Sequence, residues 1–148
     1  MCLTHVRRLL PLLLLPALAL AVGCASSAGS GAFRSRAVEL TALMDNEDLL
    51  WEMTPIGLQP LFKGKHLREL RGMGKAANPA LIEALKDPTR FAVAHALLTE
   101  INLAKFDLGP TRWNGLRVSR SAGGRGHYNE QDMPALLEFW EKQLGPTP

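Results

Sequence analysis

The chain has 148 residues, of which 47% are hydrophobic and 21% charged, a size and composition for one domain and no more. Its formal charge is +3, but Arg7 and Arg8 lie in the first 23 residues and no acid does, so the remainder is nearly neutral. A near-neutral domain has no global field to steer DNA or RNA, which argues against a nucleic-acid partner.

Residues 1–23 read MCLTHVRRLLPLLLLPALALAVG. Arg7 and Arg8 form a positive start, and Leu9 to Val22 form an uncharged apolar core, the layout of a secretory signal peptide. A membrane-spanning helix needs about 20 apolar residues; this core is shorter and carries Pro11 and Pro16. It ends in Ala21-Val22-Gly23-Cys24, which resembles the bacterial lipobox, although Leu is commoner where Ala21 stands. In that family small residues precede a cysteine that is acylated and becomes the new N-terminus. The resemblance implies lipidation at Cys24, a membrane partner held through that lipid, and residence in a bacterial cell envelope. Ala25 comes next in place of Asp, which by similarity to enterobacterial lipoproteins points to the outer membrane. Ordinary cleavage near Ala25 or Ala28, or an uncleaved anchor, are the alternatives. The only other cysteine is Cys2, in the leader, so the exported part is expected to hold together without a disulfide.

Residues 24–32 are Gly, Ser and Ala after the cysteine, the composition of a flexible linker. The folded part is expected over 33–145. Phe33, Ala37, Leu40 and Met44 mark one face of a first helix. Asp45 or Asn46 then caps a short second helix through Leu49-Leu50-Trp51-Glu52-Met53. The acids Asp45, Glu47, Asp48 and Glu52 lack the spacing and central Gly of a calcium loop. Thr54-Pro55, Gly57 and Gln59-Pro60 read as an irregular connector. Gly64 to Met73 reads as a basic helix with Leu67, Leu70 and Met73 inward and Lys65, Arg68 and Arg71 outward.

Two helix starts come next. Asn78-Pro79 and Asp87-Pro88 each set a capping side chain before a proline, which loses nothing at the first helical position. They predict helices over 79–86 and 88–101, folded back as an αα-hairpin. Phe91, Ala94, Leu98 and Ile101 lie on one stripe of the second, and Val93 and Leu97 on another, as on an inner helix of a stacked array. The run Gly74, Ala77, Pro79, Leu81, Ile82, Leu85, Asp87, Arg90, Ala94, Ala96 and Leu97 resembles the HEAT-repeat family. The resemblance implies a mainly α fold, a short HEAT-like α-hairpin solenoid.

Beyond Ile101, Gly109-Pro110 stops any helix. Leu116-Arg117-Val118-Ser119 alternates as a half-buried strand does, Ser121 to Gly124 is a turn, and Arg125 to Asn129 returns as a second strand. Asn114-Gly115 is a bulge or a turn. The expectation is a small β-hairpin insertion over about 115–129, anchored by Trp113, and then a C-terminal helix from Asp132 to Leu144 with Trp140 inward.

Chemistry is sparse. GxSxG, the Walker loop, GxGxxG and HExxH are all missing. His66, His95 and His127 show no i, i+4 pairing, so neither metal nor cofactor is expected. Glu83 and Glu100 are the one pair that facing helices bring to mind as acid and base, and exposed helix carboxylates are their simpler reading. The chain therefore reads as a non-catalytic, membrane-tethered protein-interaction module. The alternative is a binder of an anionic envelope ligand, a lipid headgroup or cell-wall polymer, through the basic helix and the hairpin. The candidate contact residues are Arg112, Arg117, Arg120 and Arg125, with Lys65, Arg68 and Arg71. Arginine forks suit carboxylates and phosphates; charges on a strand edge also block unwanted pairing, and both readings stand.

Overall fold

A computed structural model describes residues 27–104 and 112–145. The leader, Cys24 and the Gly109-Pro110 break lie outside the described residues. Helix α1 spans Ser27–Thr41, so it begins inside the stretch read as a linker. Ala37 and Leu40 are buried on its inner side and Met44 just past its end, whereas Phe33, expected on that face, is 58% exposed.

The segment after α1 departs from expectation. The Glu47 amide donates to Asp45 Oδ1 at 2.8 Å and the Asp45 amide to Asp48 Oδ2 at 3.0 Å. The cap is thus present, but it opens only a single 3-10 turn over Asn46–Asp48. The chain then leaves as strand β1, Leu49–Thr54, and not as a helix. Strand β2, Gly57–Phe62, returns antiparallel, in register from Leu49 opposite Phe62 to Thr54 opposite Gly57. Alternation along the pair buries Leu49, Trp51 and Leu58. Pro60, read as a breaker, sits inside β2, where it is tolerated because β2 is hydrogen-bonded only to β1.

Helix α2, Lys65–Met73, buries Leu67 and Leu70 as its spacing predicts. Helix α3, Asn78–Ala84, packs against helix α4, Phe91–Asn102. Every residue of α4 from Phe91 to Thr99 is buried. A helix that is covered all round needs neighbours on every side. Helices α2 and α3 cover one side, and the strands cover the other through Phe91 against Tyr128 and His95 against Trp113.

The start of α4 is also held differently from its sequence reading. Asp87 binds the amide and hydroxyl of Thr89 and the guanidinium of Arg90, so it closes the turn before the helix. The cap comes from far away: Asn46 Oδ1 accepts from the amides of Ala92 at 3.0 Å and Val93 at 3.2 Å. Asn46 Nδ2 donates to the Pro88 carbonyl at 2.9 Å. One side chain therefore fastens the β1 approach to the central helix.

The second sheet has the order β3-β4-β5, with β3 at Arg112–Trp113, β4 at Leu116–Arg120 and β5 at Gly126–Tyr128. Asn114-Gly115, at φ 55° and 85°, is the two-residue turn between β3 and β4; positive φ at both central residues is what Asn-Gly supplies. The sheet is not an insertion. A bridge joins Leu50 to Arg125, and the Trp51 amide donates to the Gly124 carbonyl at 2.7 Å, so β1 meets the β4–β5 turn. Helix α5, Met133–Leu144, closes the domain with Leu136 and Trp140 buried. The architecture is mixed α and β, with two small antiparallel sheets, and this corrects the expected HEAT-like solenoid. In a solenoid the outer side of α4 would rest on another helical pair; here strands occupy that position.

Asn46→Ala removes the one oxygen that accepts both amides at the start of α4 and should lower unfolding free energy by about 2 kcal/mol, read from urea melts. Asp87→Ala should cost less than Asn46→Ala in the same assay. Equal losses would return the cap to Asp87.

Candidate functional site

The outward face of the three-stranded sheet forms an open groove of about 800 Å³. Alternation along β4 turns Leu116 and Val118 into the core and Arg117 and Ser119 outward. Residues directly opposite in an antiparallel pair share a face. Arg112 on β3 lies opposite Arg117, and Ser119 lies opposite His127 on β5, so all four project into the groove. Asn129, Glu130 and Gln131, in the turn leading to α5, form its far wall.

The four hairpin arginines have separate fates. Arg117 is clamped by Asp132: Nε and Nη2 reach Oδ1 at 2.9 and 2.7 Å, and the Arg117 amide donates to Oδ2 at 2.9 Å. Hydrogen bonding to Asp132, then its charge, raises the Arg117 pKa further above its ordinary value. The Asp132 side chain is only 12% exposed, so the clamp is shielded from solvent more than an ordinary surface pair. With its amide occupied, Arg117 has no open strand edge to guard, and the edge-protection reading does not account for it. Arg112 is exposed and has no acidic partner among the described residues. Arg120 leaves β4 by the other face, two residues on from Val118. Arg125 pairs with Glu47 at 2.9 Å.

The basic helix contributes nothing to the groove. Lys65, Arg68 and Arg71 lie on α2, and none lines it. Arg71 pairs with Glu100 at 3.0 Å, and Glu69 on the same helix holds Arg36 at 2.8 Å. Helix and hairpin thus do not assemble into one cationic surface. Glu83, the other carboxylate considered for acid–base work, pairs with Lys86 at 2.6 Å.

Sequence reasoning missed Asp132, Asn129 and Gln131, for which no motif or spacing served as a signal. The alternation of β4 identified Arg117 and Ser119 as outward. What they face depends on the register with β5, and only the turn over Ser121–Gly124 sets that. Ser119 and His127 are cross-strand neighbours, yet no hydrogen bond joins them, and among the described residues no acid orients His127. The nucleophile–base–orienter relay of a hydrolase is therefore not assembled there.

Two other ionisable groups belong to the scaffold. Tyr128 Oη accepts from Trp51 Nε1 at 2.9 Å, and burial pushes its pKa up to about 12. Gly126 makes room for this pair: a Cβ there would stand 2.4 Å from Tyr128 Oη. His95 is wholly buried on α4 and its Nδ1 accepts from Trp140 Nε1 at 2.9 Å. Burial lowers the His95 pKa to about 4, against the opposite pull of backbone groups of Asn114 and Trp113. The ring is neutral at pH 7, packed edge-on to Trp113 and Trp140 at centroid distances of 5.7 and 6.0 Å.

Comparison with known proteins finds no matching family model, and neither curated sequences nor solved structures yield a significant match.

His95 makes stability depend on pH. Its folded pKa of about 4 lies below the ordinary 6.5, so between these values the unfolded chain binds the extra proton. Stability should be full above pH 6.5 and fall as pH drops towards 4, by roughly 3 kcal/mol at about 1.4 kcal/mol per pKa unit. His95→Leu should flatten that slope relative to wild type in urea melts. At pH 7.5 it should lose about 1–3 kcal/mol, because the buried Trp140 N–H loses its His95 acceptor. An unchanged slope would remove His95 as the titrating group.

Proposed function

We propose that the chain is an exported lipoprotein, tethered to a bacterial membrane through Cys24, that works as a non-catalytic protein-interaction module. The observation that carries the interaction reading is the groove of the β3–β5 sheet. Two arginines stand opposite each other on an exposed face, and among the described residues only one is answered by an acid. Like charges directly opposite across strands are destabilising. Asp132 answers Arg117 alone, and a partner that brings negative charge relieves what is left. The tethering reading rests on Arg7-Arg8, the apolar core and Ala21-Val22-Gly23-Cys24. Among the described residues no helix is long and apolar enough to cross a membrane. In this reading a lipid at Cys24 supplies the attachment, and two or three acyl chains meet the need for more than one anchor.

The alternative, an anionic envelope ligand held jointly by basic helix and hairpin, gains no common surface. The α2 cations line no part of the groove, and Arg71 and Arg125 are each engaged by an acid.

Cys24→Ser, expressed in a bacterial host, should move the protein from the membrane to the soluble fraction, with the mature mass lacking acyl groups. A Cys24→Ser protein cleaved to mature size and still sedimenting with membranes would overturn the tether.

A further inference from the structure

We infer that the groove takes an acidic peptide segment of a partner protein, with a carboxylate seated between Arg112 and Arg117. The inference rests on the interaction-module reading above and adds the chemistry of what is bound.

The two arginines differ in how they are held. Asp132 occupies the Nε and Nη2 edge of Arg117, which fixes that guanidinium and leaves its Nη1 hydrogens for a further acceptor. Arg112, directly across the strand pair, offers its whole fork. A carboxylate is the planar acceptor that matches such forks, and charge-assisted bonds of this type are about twice as strong as neutral ones.

The rest of the lining selects among anions. Glu130 stands on the wall, Asp132 offsets Arg117, and Glu47 offsets Arg125. The surroundings therefore lack the extended positive field that draws a protein to an anionic bilayer. A dianionic phosphate would also meet Glu130. A peptide does not have this difficulty, because its carboxylate is singly charged and its backbone N–H groups can donate to Glu130. Asn129 and Gln131 both donate and accept, which suits the alternating donors and acceptors of a peptide backbone. Val118 and Tyr128 turn their side chains inward, so the groove floor between the outward side chains is strand backbone. A volume of about 800 Å³ accommodates a few residues, not a long helix.

The test uses the full chain purified in detergent. The probes are a fluorescein-labelled Gly-Glu-Glu-Gly peptide, its Gly-Gln-Gln-Gly counterpart, inorganic phosphate as competitor, and phosphatidylglycerol vesicles. The acidic peptide should bind, and the glutamine peptide should bind at least about tenfold more weakly, as loss of a charge-assisted pair requires. Arg112→Gln should reproduce that loss without lowering the melting temperature, since Arg112 has no acidic partner to lose among the described residues and its charge opposes Arg117. Equal binding of both peptides, phosphate displacing the peptide at equimolar concentration, or vesicle binding that depends on Arg112 would each overturn the inference. A photo-crosslinker at Ser119 in intact cells separates this from the broader reading. Cross-linking to one envelope protein that persists in Arg112→Gln would overturn the acidic-peptide chemistry and leave the module standing.

Discussion

The hydrogen bond from Trp140 Nε1 to His95 Nδ1 is the constraint on which the rest of the domain depends. It sits where three elements meet: α4 supplies the imidazole, α5 the indole donor, and Trp113 and Asn114 at the β3–β4 turn the backbone groups beside the ring. Aromatic contacts extend it outward. His95 meets Trp113, and Trp113 meets Trp51 at 5.3 Å, so the chain of rings runs from α5 through α4 to β3 and β1. A buried indole N–H without an acceptor is costly, and so is a buried imidazolium. Both costs vanish only when the ring is neutral and these elements are in place together. The helical half and the strand half are therefore coupled through one side chain.

Other polar side chains repeat the pattern. Asn46 caps α4 from 46 residues before Ala92, and Asn78 and Asn102 exchange hydrogen bonds at 3.0 and 3.1 Å between α3 and the end of α4. Asn114 donates to Thr99 Oγ1 at 2.7 Å and locks the β3–β4 turn onto α4. Leucines and alanines supply most of the burial, but they would accept many neighbouring registers. Directional bonds between buried or half-buried polar groups accept few, and in a domain without a disulfide among its described residues they select one arrangement.

The groove is a consequence of that arrangement. With Leu116, Val118 and Trp113 buried in the core, alternation forces Arg112, Arg117 and Ser119 outward. Asp132, where the chain enters α5, is then placed to clamp one arginine and not the other. The asymmetry gives the face one fixed and one available guanidinium. A rigid donor beside a free one loses less conformational entropy on binding than two free side chains would.

The local chemistry of the sequence determined the elements whose partners are close by. The apolar spacing of α2, α4 and α5, the prolines opening α3 and α5, the alternation of β4 and the core placement of Trp113 and Trp140 were all legible. So was a cap at Asp45 or Asn46, of which the structure uses Asp45. The tertiary structure alone decided that a strand leaves that cap, because Leu49-Leu50-Trp51 suits a helix face or a strand equally, and its pairing with residues up to Phe62 is not a local signal. It also decided that Pro60 lies in an edge strand and that Asn46, not Asp87, caps α4. Strands and not a second helical pair cover α4, which separates this fold from a repeat array. The candidate site divided the same way. The outward arginines could be named from the two-residue period, but their grouping could not. Arg112 and Arg117 converge through the Asn114-Gly115 turn, Arg117 is fixed by a carboxylate fifteen residues on, and the α2 cations stay apart because their helix packs on α1 and α4. Periodicity fixes which way a side chain points; only long-range pairing fixes what it meets.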